Sequence, residues 1–170
     1  GANLSGSNLL GADLKGADLT GASLEGASLE GVSLQGVNLT RVNFEGANLN
    51  EANLDSVITS DVMGIPVSLP DVDWKLVQGY LIGPGSDLSG ADLSEFNLFG
   101  VNLTGANLTG ANLTGANLTL ANLQGANLVD ANFSRTKLFE SNFIGANLEG
   151  ADLRSSELKD SDLSSANLSG

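Results

Sequence analysis

Between Gly100 and Thr114 the chain repeats one five-residue phrase, Ala-Asn-Leu-Thr-Gly, with Val101 the only departure. With Leu as position i, Ala is i−2, Asn or Asp is i−1, a variable polar residue is i+1 and Gly is usually i+2. A helix needs apolar residues three or four apart, and a half-buried strand needs them at every second position. A strict period of five serves neither as a continuous element. It fits a chain that takes one short extended step, with i−2 and i on the same side, and then turns. Gly at i+2 suits that turn because it accepts positive φ without a Cβ clash.

The i residues run from Leu4 every fifth residue to Leu54, with Phe44 among them, and resume from Leu88 to Leu168. This tandem A-[DN]-L-x-G pattern covers about four-fifths of the chain and resembles the pentapeptide-repeat family. The resemblance implies an all-β fold, a right-handed quadrilateral β-helix in which four phrases make one coil of about twenty residues. The i residues then fill the axis, Leu103, Leu108, Leu113, Leu118 and Phe133 among them, and the i−2 alanines line it. Coils at the ordinary strand spacing of ~4.7–4.9 Å give about seven or eight turns, a rod roughly 35–40 Å long. Each buried Leu contributes about 1.5–3 kcal/mol of transfer free energy. The backbone groups one coil leaves open pair with the next, so a stack is stable where a lone repeat is not.

Three segments are expected within one continuous domain: a solenoid block over 1–55, an interruption over 56–85 and a second block over 86–170. The interruption holds all three prolines (Pro66, Pro70, Pro84), the only Trp (Trp74), the only Tyr (Tyr80) and the only Met (Met63). Leu54 and Leu88 are thirty-four residues apart, so the phase slips. Residues Thr59–Asp73 read as a loop or short hairpin bulging from the solenoid, with Val67-Ser68-Leu69 a degenerate phrase and re-entry at Leu76 and Leu81. The phrase from Trp74 to Gly85 looks like an interruption seen in some bacterial pentapeptide-repeat proteins. Trp74 and Tyr80 then either plug the seam between blocks or, with Met63, form a recognition loop on a rigid scaffold.

A coil of about twenty residues places residues twenty apart in one column. Thr104, Thr109, Thr114 and Thr119 therefore ring one coil and form no ladder of the kind ice binding requires. Ser5, Glu25 and Glu45 share an outward column, where like charges one rung apart repel. A catalytic carboxylate pair would need a cleft, and a convex rod has none. Phe99, Thr119 and Phe139 share another outward column, with Leu120 beside them where Gly is usual and Phe96 replacing Ala at i−2. Phe99, Leu120 and Phe139 are the expected contact face, since contiguous exposed apolar surface marks interaction sites. The Asn-Leu-Thr sequons at Asn38, Asn102 and Asn107 follow from the phrase itself.

The net charge is −13, spread along the chain: seven acids and two bases over 1–55, four and one over 56–87, nine and four over 88–170. That balance disfavours direct binding to nucleic acid or an anionic membrane. No run approaches the length of a membrane span. Cys and His are both absent, which removes the usual zinc, thiol and triad constellations. The glycines punctuate turns and never form a phosphate-binding fingerprint. No catalytic residue, metal or cofactor is expected, and the chain does not read as an enzyme. The leading expectation is a rigid scaffold for protein–protein interaction or structural assembly, with a protein partner still to be identified. Two alternatives stand beside it. The family includes duplex-DNA mimics that bind type II topoisomerases such as gyrase, although no dense acidic face emerges here. The chain starts and ends in repeat phrases, so end-to-end self-association, or membership of a longer repeat protein, is the other.

Overall fold

The computed structural model describes residues 1–170. They form two compact units, Gly1–Ile82 and Gly83–Gly170, and neither contains a helix. Each is a right-handed quadrilateral β-helix, as the repeat implies. The extended steps are so short that strand pairing reduces to one parallel bridge per phrase, always between residues twenty apart. In Gly83–Gly170 one column of bridges runs Asp87, Asn107, Asn127, Asn147, Asn167. In Gly1–Ile82 the matching column runs Asn3, Ser23, Asn43, Met63.

The phrase Ala106–Gly110 shows why five residues suffice. The N–H of Ala106 closes a turn on the Leu103 carbonyl at 3.0 Å. Asn107 N donates backwards to Ser86 O at 2.9 Å, while Leu108 N donates forwards to Asn127 O at 2.7 Å and Gly110 N to Val129 O at 2.8 Å. The remaining donor, Thr109 N, goes to the Asn107 side-chain Oδ1 at 3.2 Å. All five N–H groups are thereby used, which a buried backbone demands. The last bond explains the Asn or Asp at i−1, because a short carbonyl side chain can accept from the backbone two residues on. The same bond recurs at Asn43, Asn48 and Asn53 in Gly1–Ile82.

The i and i−2 side chains point inward. Leu103, Leu108, Leu113, Leu118 and Phe133 are fully buried, as are Leu24, Leu29, Leu34, Leu39 and Phe44. Phe133 and Phe143 meet edge to face, with ring centroids 6.1 Å apart. The corner residue at i+2 of the regular phrases takes positive φ, at Gly105, Gly110 and Gly115 and also at non-glycine corners such as Arg41 and Glu95.

The expected bulge over Thr59–Asp73 is corrected by the structure. The phrase is lost there, but the coil continues: Ile58, Met63 and Ser68 bridge to Asn38, Asn43 and Asn48 in unbroken succession. Val57 and Val62 keep the inward i−2 positions. The core Leu is replaced by Thr59 and Gly64, with Leu69 partly buried, and the i−1 Asn or Asp by Ile58 and Met63. The irregular element is a hairpin further on, β1 (Lys75–Val77) paired antiparallel with β2 (Tyr80–Ile82). Its two turn residues, Gln78 and Gly79, both have positive φ (45° and 84°), as a two-residue hairpin turn of the type I′ class requires. The hairpin lies against the last coil of this unit. Val62 N donates to Gly79 O at 2.9 Å, and the Thr59 hydroxyl accepts from Leu81 N at 3.1 Å. Trp74 and Leu81 join the buried core that the missing leucines would have filled, and Leu76 packs at its margin.

At Gly64, φ is 73° and an added Cβ would lie 2.4 Å from Glu45 N and 2.7 Å from Glu45 Cα. The corner Gly26 has open space around it. Gly26→Ala should therefore cost only the ~1–2 kcal/mol of an L residue in the left-handed region. Gly64→Ala should cost clearly more, measured as the denaturant midpoint of unfolding.

Several aspartates at i−1 accept from both the backbone and the side chain two residues on. The Arg154 guanidinium donates to Asp152 at 2.8 and 2.7 Å, and Arg154 N donates to it at 3.0 Å. These bonds hold the Asp152 carboxyl down from 3.8 to about 2. Hydrogen bonds from Thr20, Ser94 and Ser164 lower Asp18, Asp92 and Asp162 in the same direction. Because the folded value is depressed, the contribution of Asp152 to stability is present above the unfolded value near 3.8. It is lost as pH falls towards about 2. Carboxyl NMR titration should find Asp152 near that value, and Arg154→Ala should move it upward.

Candidate interaction faces

No cluster of acidic side chains is gathered as a metal ion would require. No helix is long and apolar enough to cross a membrane. The surface features that stand out are apolar, and they occur in both units.

In Gly83–Gly170 the bridges Asn97–Asn117, Asn117–Lys137 and Lys137–Glu157 set Phe99, Thr119 and Phe139 in one outward column. Leu120 N donates to Phe139 O at 2.8 Å, which seats Leu120 at the corner of that same face. Phe99 is 51% exposed and Leu120 47%, while Phe139 is partly buried. Phe96, at i−2, is also partly buried. Below Phe139 the column passes to Lys159, so the apolar stripe ends in charge. Leu120 is the one apolar residue with positive φ (62°) outside glycine. The other such corners are Arg, Glu, Gln, Asp or Ser.

In Gly1–Ile82 the side chains proposed as a recognition loop separate. Met63 is exposed, and Tyr80 on β2 is partly buried. Trp74 is only 8% exposed and belongs to the buried core, so it cannot present itself to a partner. Reading from sequence missed Ile58, Ile65, Val67 and Val72, all exposed apolar residues of the same stretch. The signal was there for Ile58 and Ile65: Val57 and Val62 keep the five-residue beat after Leu54, which makes 58, 63 and 65 outward positions, whereas the same beat would turn Val67 inward.

A family model for pentapeptide repeats matches in 8 copies, over residues 1–36, 27–58, 86–125, 97–135, 116–154 and 131–170. The chain belongs to the pentapeptide-repeat family. HetL, a pentapeptide-repeat protein involved in heterocyst differentiation regulation in the cyanobacterium Nostoc sp. strain PCC 7120, is 31% identical. That match covers 98% of this chain and 70% of HetL, with a TM-score of 0.39. The pentapeptide-repeat protein alr5209 of the same cyanobacterium is 38% identical over 45% of this chain and 64% of its own length, with a TM-score of 0.45. QnrB1, a plasmid-mediated fluoroquinolone resistance protein, is 16% identical over 99% of this chain and 85% of its own, with a TM-score of 0.33. No curated protein matches the chain. The family match leaves 59–85 outside it, where the repeat phrase is degenerate and the hairpin lies.

Leu120 occupies a corner that the repeat usually gives to Gly. Leu120→Gly relieves roughly 1–2 kcal/mol of left-handed strain and adds back about 0.5–1 kcal/mol of unfolded-state entropy. A net gain of up to about 1.5 kcal/mol is expected from these two terms, read as a raised thermal midpoint.

Proposed function

We propose that this pentapeptide-repeat chain is a non-enzymatic scaffold for protein–protein interaction, with Phe99, Leu120 and Phe139 as a contact face. The observation that carries this reading is Leu120. A half-exposed Leu stands in the left-handed region at a corner where Gly would serve the fold at lower cost. Backbone strain kept at an exposed apolar side chain, flanked by an exposed Phe, fits a surface held for contact rather than for stability. The absence of Cys and His from the sequence supports the non-enzymatic part.

The gyrase-binding alternative draws on the net charge of −13. Those charges are spread along the chain and not gathered on one dense face, and the Phe99 face is apolar, which favours the scaffold reading. The test is an affinity capture with the intact protein beside a Phe99→Ser/Phe139→Ser variant whose thermal midpoint is matched. A partner that is retained by the native chain and lost by the variant is the expected result. Capture indifferent to the variant overturns the assignment of the face, and inhibition of gyrase supercoiling by micromolar protein would favour the alternative.

A further inference from the structure

The apolar side chains in residues 58–72 make a second surface, confined to the last coil of Gly1–Ile82. Met63 and Ile65 are the i−1 and i+1 residues of one phrase, so both face outward, and Gly64 between them has no side chain. One coil earlier the same two positions carry Asn43 and Glu45, and before that Ser23 and Glu25. The change from polar to apolar is therefore abrupt. Ile65 is 75% exposed, Val67 73% and Val72 92%. Isolated exposed hydrophobes need no explanation, but Met63, Ile65 and Val67 stand within five residues of one another, and exposed apolar side chains gathered so closely mark a contact surface.

The backbone beneath this surface is fixed. Phe44 N donates to Met63 O at 2.8 Å, Gly46 N to Ile65 O at 3.0 Å and Val67 N to Ala47 O at 2.8 Å. Ile65 N finds the Glu45 carboxylate at 2.9 Å, replacing the bond that the Met63 side chain cannot accept. A partner would meet a shelf that is already ordered, so little conformational entropy is lost on binding.

The charges around the shelf decide what fits it. Glu25 and Glu45 stand in the Ile65 column, Asp61 precedes Met63, and Asp71 and Asp73 flank Val72. Against these five carboxylates stand Arg41, one coil above Asp61, and Lys75 on β1. Gly1–Ile82 as a whole carries ten acidic and three basic residues. A second copy of this chain would bring its own acidic surface against the first, which costs affinity. We propose that the last coil of Gly1–Ile82 docks a basic amphipathic peptide segment. Its apolar side chains seat on Met63, Ile65 and Val67, and its lysines or arginines meet Glu45, Asp61, Asp71 and Asp73. The surface offers only a few side chains, which suits one segment of a partner and not a large globular face.

The test uses the intact protein and a dye-labelled synthetic peptide with Leu at helical spacing and Lys elsewhere, read by fluorescence anisotropy. Two comparison peptides have Ser in place of every Leu, or Glu in place of every Lys. The Leu/Lys peptide should bind at least tenfold more tightly than either, and added salt should weaken it. Ile65→Ser/Val67→Ser should reduce that affinity at least tenfold with the thermal midpoint unchanged, whereas Phe99→Ser should leave it intact. Equal binding of the Lys/Ser peptide, or indifference to the Ile65→Ser/Val67→Ser variant, overturns the proposal. A concentration-dependent dimer in sedimentation that the same variant abolishes would give the surface to a second copy and also overturn it.

Discussion

Every other feature of these units depends on how the regular phrase uses its backbone N–H groups, all five of them at Ala106–Gly110. One closes a corner, one reaches back a coil, two reach forward, and the last is taken by the Asn or Asp side chain of the same phrase. A chain with no helix and almost no extended strand can bury its backbone only on those terms. The inward side chains follow from that arrangement and do not create it. Thr59 and Gly64 stand in core positions without breaking the coil, because the bridges through Ile58, Met63 and Ser68 are still made.

Where the core thins, other groups take over. Thr59 turns its hydroxyl to the backbone of Leu81, and Trp74 and Leu81 supply apolar volume. Buried hydroxyls elsewhere behave alike: Ser86 donates to Gly83 O at 2.9 Å and Thr136 to Leu113 O at 2.8 Å. Polar substitutions at inward positions are tolerated when a carbonyl of the coil lies within reach, since a satisfied buried hydroxyl costs little.

The outward positions are constrained far less, apart from the carbonyl at i−1, so departures from the repeat on the surface carry information. The phrase would be served by polar residues at 63, 65, 99, 120 and 139; Met, Ile, Phe, Leu and Phe stand there instead. At Leu120 the departure runs against the backbone preference as well. The two contact surfaces we propose would account for apolar residues standing where the fold asks for none.

The five-residue period by itself determined the short extended step, the corner and the inward leucines, while the four-phrase coil and its columns twenty apart followed from the resemblance to the pentapeptide-repeat family. It also placed Phe99, Leu120 and Phe139 together before any coordinates. The continuation of the coil past Leu54 was not legible in the same way. The core Leu that marks the phrase is absent at 59 and 64, while the backbone pairing that sustains the coil leaves no mark on residue type at Ile58 or Met63. Only the tertiary structure decided that Trp74 lies inside and Val72 outside. Their fates depend on a hairpin folding against the last coil, and a non-repeating segment has no period from which such a contact can be read.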